Sequence, residues 1–296
     1  MNINKILYPI LLLLVVLSSC DYENPLDKEQ YKKTLYLIGA SNNLVTKELT
    51  YSSEVQEGFI TVGVSGSLLI DENVDVNLES HNSVIDWYNK KFKFLATDLK
   101  YKELTTTAFE VPSYTVTLKA GETYARVPFR VKTEDLECDS LYAITFKIAS
   151  SSDPSYEINQ KDSALIVSFN LVNSYSGNYI FKALRHELNN DGEVVASTSI
   201  TIVRTLKATE ENAVRFYNEQ NAETVANIKK YGVVLKVGAD NNVSISPWKD
   251  FELVEVGTCT YNSNAKVFNV DYKYKQDGKT YQMVGTFTYQ DEDANS

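Results

Sequence analysis

Apolar residues recur at every second position through much of this chain. Ile60, Val62 and Val64 alternate with polar neighbours, as do Val74, Val76 and Leu78. Val127, Phe129 and Val131 follow a Lys119-Ala120-Gly121-Glu122 turn. Tyr142, Ile144, Phe146 and Ile148 come next, then Leu165, Val167, Phe169 and Leu171. A period of two marks half-buried strands, and strands at this spacing with polar turns between them predict an antiparallel sandwich. A short helix is expected near residues 84–94. The rhythm lapses at Asn173-Ser174-Tyr175-Ser176-Gly177, which marks a domain boundary.

Strands resume from Tyr179 to Leu184 and from Ser199 to Leu206, with Asn189-Asn190-Asp191-Gly192 as the turn between them. Thr209 to Asn218 predicts a helix, with Thr209 as N-cap and Glu210-Glu211 in the first turn. The last hairpin is the clearest element. Asp277-Gly278 signals a type I′ turn. A two-residue loop sets Tyr274 opposite Tyr281, Tyr272 opposite Met283, Val270 opposite Gly285 and Phe268 opposite Phe287. These eight share one face. Lys275, Lys273, Asp271 and Asn269, with Thr280, Gln282, Val284 and Thr286, take the other. A slip of one residue would exchange the faces, so the register is well specified.

The N-terminus has a different pattern. Lys5 precedes an apolar run from Ile6 to Leu17, and Leu17-Ser18-Ser19-Cys20 follows. Basic, apolar and then small residues make a signal peptide, and the run is short for a spanning helix. Leu-Ser-Ser-Cys resembles the bacterial lipobox, which implies cleavage before Cys20 and diacylation of its thiol. Multiple acyl chains give stable anchoring where one does not. Asp21-Tyr22-Glu23-Asn24 is similar to the surface-export signal of Bacteroidetes lipoproteins. That implies a lipid-anchored protein of the outer membrane, facing the exterior.

Composition narrows the function classes. The formal net charge is −10 and hydrophobic residues make up 43% of the chain. An acidic balance argues against a nucleic-acid partner. The length fits two domains. Beyond Cys20 only Cys138 and Cys259 remain, far apart and outside any C-x-x-C pair, so neither a disulfide framework nor a zinc ribbon is expected. The 20 Tyr and 12 Phe favour strands and half-buried surfaces.

Several stretches together resemble a family. They are Lys33-Thr34-Leu35-Tyr36-Leu37-Ile38-Gly39-Ala40, Val74-Asp75-Val76, Trp87-Tyr88-Asn89, Val116-Thr117-Leu118-Lys119-Ala120-Gly121-Glu122, Asn173-Ser174-Tyr175-Ser176-Gly177-Asn178-Tyr179 and Val243-Ser244-Ile245-Ser246-Pro247-Trp248. They look like the two-domain lipoproteins of Bacteroidetes polysaccharide-utilisation loci, with a SusE/SusF-like role. The resemblance implies an all-β chain: an immunoglobulin-like sandwich, then a lipocalin-like antiparallel β barrel with a short helix. The expected divisions are 1–19 signal peptide, 20–33 lipidated tether, 34–173 sandwich, 174–290 lipocalin-like domain and 291–296 acidic tail. It also implies non-catalytic binding of glycan or oligosaccharide beside SusC/SusD-like outer-membrane importers. The alternatives are a scaffold of such a complex without sugar affinity, and a glycoside hydrolase.

No catalytic motif emerges. His81 and His186 are the two histidines, so neither H-E-x-x-H nor a three-histidine metal site is available. There is no G-x-S-x-G elbow, no phosphate-binding loop and no D-x-x-D-x-D-x-E run. Two carboxylates would suffice for glycoside hydrolysis, and a chain with 39 acidic residues leaves that open. Asp71-Glu72-Asn73-Val74-Asp75-Val76-Asn77 starts like a calcium loop, but Val76 stands where Gly is needed and Asn82 where Glu is. It reads as entry to a strand, so no metal or cofactor is expected. Sugar binding needs an aromatic face with amides and carboxylates nearby. Trp248 is the first candidate, with Lys249, Asp250, Asn241 and Asn242; a plug for the barrel end is the competing role. Trp87 and Tyr88 are the second candidate, against a helix packed on the sandwich. Asp139-Ser140-Leu141 and Asp162-Ser163-Ala164 match the Bacteroidetes O-glycosylation pattern.

Overall fold

A computed structural model describes residues 28–218, 222 and 224–290. The first domain contains β1 (Thr34–Leu37), β2 (Leu44–Thr50), β3 (Gln56–Ser65), β4 (Val74–Glu79), α1 (Ser83–Phe92), β5 (Tyr101–Glu103), β6 (Phe109–Glu110), β7 (Thr115–Leu118), β8 (Tyr124–Val131), β9 (Leu141–Ser151), β10 (Glu157–Ile158) and β11 (Ala164–Val172). They form two sheets, ordered β10-β1-β3-β8-β6 and β2-β11-β9-β4-β7, with β5 paired to β9. The alternating residues point into one core between the sheets. Val62, Val76, Val127, Phe129, Val131, Phe146 and Val167 are fully buried there. Strand β8 shows the pattern most cleanly, since every second residue from Ala125 to Val131 is buried and the others are exposed. That is the expected signature of a sheet with one face in water.

The second domain contains β12 (Gly177–Leu188), β13 (Val194–Glu210), β14 (Ala213–Tyr217), α2 (Val225–Tyr231), β15 (Gly232–Val237), β16 (Val243–Pro247), β17 (Leu253–Val256), β18 (Thr260–Asn262), β19 (Val267–Gln276) and β20 (Lys279–Tyr289). The sheet runs β16-β15-β14-β13-β12-β20-β19-β17, with β18 also on β19. It curls round until its ends meet. Val243 N–H donates to Cys259 O at 3.0 Å, and Tyr261 N–H donates to Asn241 O at 2.8 Å. The result is a nearly closed all-β barrel beside the sandwich.

The final hairpin has the register read from sequence: Tyr274 pairs Tyr281, Tyr272 pairs Met283, Val270 pairs Gly285 and Phe268 pairs Phe287. Asp277 and Gly278 have φ of 52° and 76°, the paired positive values a type I′ turn requires. The Tyr-Phe face fills the barrel. Phe181 stacks on Phe287 with centroids 4.0 Å apart, and Phe216 packs edge-on to Phe287. Gly285 permits this approach, because a Cβ there would sit 2.5 Å from Ala183 Cβ. Among the described residues the interior is therefore packed with aromatic side chains.

One element differs from expectation. Residues 209–218 do not form a helix: β13 continues to Glu210, Glu211 and Asn212 turn, and β14 returns through Ala213–Tyr217. All five residues of β14 are buried. A short run buried on every side carries neither a two-residue nor a 3.6-residue period, and its Val, Phe and Tyr then favour a strand. The barrel's short helix is instead α2, capped by Thr224 Oγ1 accepting from Asn227 N–H at 3.3 Å. Cys20, the signal peptide and the acidic tail lie outside the described residues. No helix among the described residues is long and apolar enough to cross a membrane.

Candidate functional site

The five polar and aromatic candidates of the second domain do not converge. Asn241 and Asn242 lie in the β15–β16 turn, where Asn241 takes φ 61° and Asn242 bridges to Thr260. Trp248, Lys249 and Asp250 follow the far end of β16. At ~3.3 Å per residue the strand separates the two groups by roughly 20 Å.

Trp248 faces the first domain. Its backbone N–H donates to Gly232 O at 3.0 Å, and its ring covers Gly232 so closely that a Cβ there would meet Cδ1 at 2.8 Å. Its indole N–H donates to Asp139 Oδ2 at 2.5 Å. Asp139 belongs to the loop before β9. Its other oxygen accepts from Arg215 Nη2 of β14, also at 2.5 Å, and the Arg215 side chain is fully buried. One carboxylate of the sandwich thus holds a guanidinium and an indole of the barrel. Lys249 extends the contact, with its Nζ 3.5 Å from Glu137. Burial pushes the neighbouring Cys138 thiol up to about 11, which favours the un-ionised sulfhydryl. Around this clamp, Asn173 Nδ2 donates to Glu210 O and Ala213 O, Glu211 accepts from Ser53 N–H, and Ala208 of β13 packs into the sandwich core. Sequence reasoning singled out Asp139 only as part of a glycosylation pattern. A 109-residue separation from Trp248 leaves no local signal of their pairing.

Trp87 and Tyr88 occupy a different setting. Helix α1 lies on the outer face of the second sheet, where Ile85 packs with Ala143 and Ile166. Tyr88, three residues on, also turns inward and meets Tyr101 edge-on at 5.6 Å. Asn89 fixes the helix by accepting from Tyr101 N–H at 2.9 Å and donating to Tyr101 O at 2.8 Å. Trp87 falls on the outer flank and is 42% exposed. Phe92, Phe94 and Leu95 continue the exposed surface. Lys91, one turn after Trp87, holds its Nζ 4.9 Å from the Trp87 ring and 5.0 Å from Phe92. The patch offers exposed aromatic surface with an ammonium over two of its rings, which suits contact with the apolar face and hydroxyls of a sugar ring.

The remaining candidates are structural in their contacts. His81 contacts Ser83 Oγ at 3.2 Å and His186 contacts Ser197 Oγ at 2.7 Å, in separate domains. Asp75 accepts from Thr117 Oγ1 at 2.5 Å and Asn73 accepts from Ala120 N–H at 3.0 Å, so this stretch ties β4 to β7. Among the described residues no three His, Cys, Asp or Glu side chains gather to hold a metal ion. Ser163 is 5% exposed and Ser140 half-buried, which leaves little room for a glycan on Ser163.

Comparison with known proteins also divides the chain in two, with the second match beginning at residue 163 and so including β11. A family model described as an N-terminal domain matches residues 31–155, and one described as a C-terminal domain matches residues 163–288. No curated protein matches the chain. Among solved structures, a multidomain protein including DUF1735 from Bacteroides ovatus is 18% identical, with a TM-score of 0.68 over 86% of this chain and 93% of its own. The fold is shared with this multidomain Bacteroides protein. A second B. ovatus structure of unknown function reaches a TM-score of 0.69 at 18% identity, covering 90% of this chain and 99% of its own. An auxiliary nutrient binding protein from Bacteroides thetaiotaomicron is 19% identical, with a TM-score of 0.64 over 84% of this chain and 91% of its own.

Proposed function

We propose that this chain is a non-catalytic glycan-binding lipoprotein, anchored through Cys20 on the outer face of the outer membrane, that captures oligosaccharide for a SusC/SusD-like importer. The observation that carries the reading is the exposed patch of Trp87, Phe92 and Phe94 with Lys91 above it. The lipobox-like N-terminus supports the location, and the fold shared with an auxiliary nutrient binding protein supports the class of role. The filled barrel interior directs a ligand to an outer surface. Trp248 contributes to the junction, where its indole N–H is already engaged.

The test is native affinity electrophoresis of residues 21–296 through gels carrying neutral plant and host polysaccharides. Retardation in at least one gel, abolished by Trp87→Ala, is the expected result. Equal migration of the parent and Trp87→Ala in every gel would overturn it.

A further inference from the structure

The outer face of the first sheet carries a second aromatic surface. Leu35, Leu37, Ile60, Val62, Ala125 and Val127 turn inward, so Tyr36, Phe59, Gly63, Tyr124 and Arg126 turn out. The registers place Tyr36, Gly63 and Tyr124 in one row across β1, β3 and β8. At ~4.8 Å between strands, the two tyrosine backbones stand about 10 Å apart. Tyr36 lies across Gly63, where a Cβ would meet its Cζ at 2.6 Å. Covering a strand glycine accounts for Tyr36. It does not account for Tyr124, which is 51% exposed, or for Phe59, 39% exposed.

The cations of this face are distinctive. Arg126 has its guanidinium 4.3 Å from the Phe59 ring, and Lys47 holds its Nζ 5.3 Å from the same ring. Neither makes an ion pair with a described carboxylate, whereas Arg130, two residues along β8, is paired with Glu57 and Glu110. Two unneutralised cations on one ring are conspicuous in a chain of net charge −10. A cleft of about 600 Å³ opens beside Tyr124 and Arg126, with Thr117, Gly121 and Thr123 on its wall. Glu122 is the sole carboxylate lining it.

We infer that this face binds an acidic saccharide, a sugar bearing a carboxylate or a sulfate ester, with Tyr124 and Tyr36 against the ring and Arg126 and Lys47 on the anion. A guanidinium fork matches the paired oxygens of either group, and aromatic surface alone would not select for charge. The inference deepens the glycan-binding reading but uses residues separate from the α1 patch, so each can fail alone.

The test is affinity electrophoresis of residues 21–296 in gels of dextran, dextran sulfate and polygalacturonate. The acidic chain is repelled by polyanions in general, so retardation there requires a local site. Retardation in one or both anionic gels beyond that in dextran is expected, and the gel that retards distinguishes sulfate from carboxylate. Arg126→Ala and Tyr124→Ala should each weaken it about tenfold, Arg126→Lys less, and added salt should weaken it further. Glu122→Gln should strengthen it. Unaltered melting of each variant shows that the sheet is intact. No anion-dependent retardation, or retardation unchanged by both Arg126→Ala and Tyr124→Ala, would overturn the inference. Loss of neutral-glycan retention in Trp87→Ala alone reports on the α1 patch instead.

Discussion

The chain has two tryptophans, and they sit in opposite physical situations. Trp248 is half-buried, its indole N–H held by a carboxylate from the other domain. Trp87 stands outward on a short helix, 42% exposed, with the Lys91 ammonium over its ring and Phe92 and Tyr88 edge-on beside it. Both are large aromatic side chains in polar surroundings, and residue type alone would give them one role. The partner decides between them. An indole whose polar edge is satisfied within the fold has become part of the fold, whereas an exposed ring retains a free face for a ligand.

This contrast can be broken at its strongest point first. Asp139→Ala would leave Arg215 as a buried charge without its carboxylate, a loss of about 3–5 kcal/mol measurable by urea or thermal unfolding. Replacing both by apolar residues (Asp139→Leu with Arg215→Met) should recover part of that stability, because the buried charge is gone while the Trp248 indole N–H still lacks its acceptor. Recovery in the double variant identifies the clamp as the cause.

Trp248→Phe tests the other arm of the clamp. It keeps ring burial but removes the hydrogen bond to a charged acceptor, a cost of about 1.5–3 kcal/mol in the same unfolding measurement. Glycan retention should not change. A variant that unfolds normally yet loses retention would reassign Trp248 to ligand contact and dissolve the distinction between the two tryptophans.

Trp87→Ala should behave in the reverse way. Its side chain is exposed, so stability should shift by no more than about 0.5 kcal/mol while affinity-gel retardation disappears. Lys91→Ala is the finest cut. It removes the cation over the rings, worth about 0.5–1 kcal/mol at an exposed site, and should weaken retardation a few-fold without abolishing it.

The legible parts of this molecule were those with local physics. The hairpin at Asp277-Gly278 announces its turn, its register and its buried face through spacing alone, and each pairing from Phe268–Phe287 to Tyr274–Tyr281 is present. The sandwich strands were visible because one face meets water. Strand β14 was hidden because both its faces are buried, and it read as a helix. The site was less legible still. Asn241 and Trp248 look like neighbours in sequence, but an extended strand carries them apart, whereas Asp139 and Trp248 are brought together by docking of two domains. The platform of Tyr36, Gly63 and Tyr124 depends on cross-strand register, which no stretch of adjacent residues encodes.

Strand β13 has one more consequence. It runs for 17 residues as a barrel stave, yet its Ala208 is fully buried within the sandwich core. The linker near residue 173 is therefore a boundary in connectivity only. Cutting there would strip the first domain of a tile in its own wall and expose the apolar floor beneath. A fragment ending at the linker should be stickier and less soluble than the intact chain, so dissection of this protein for binding work is better done by point substitution than by truncation.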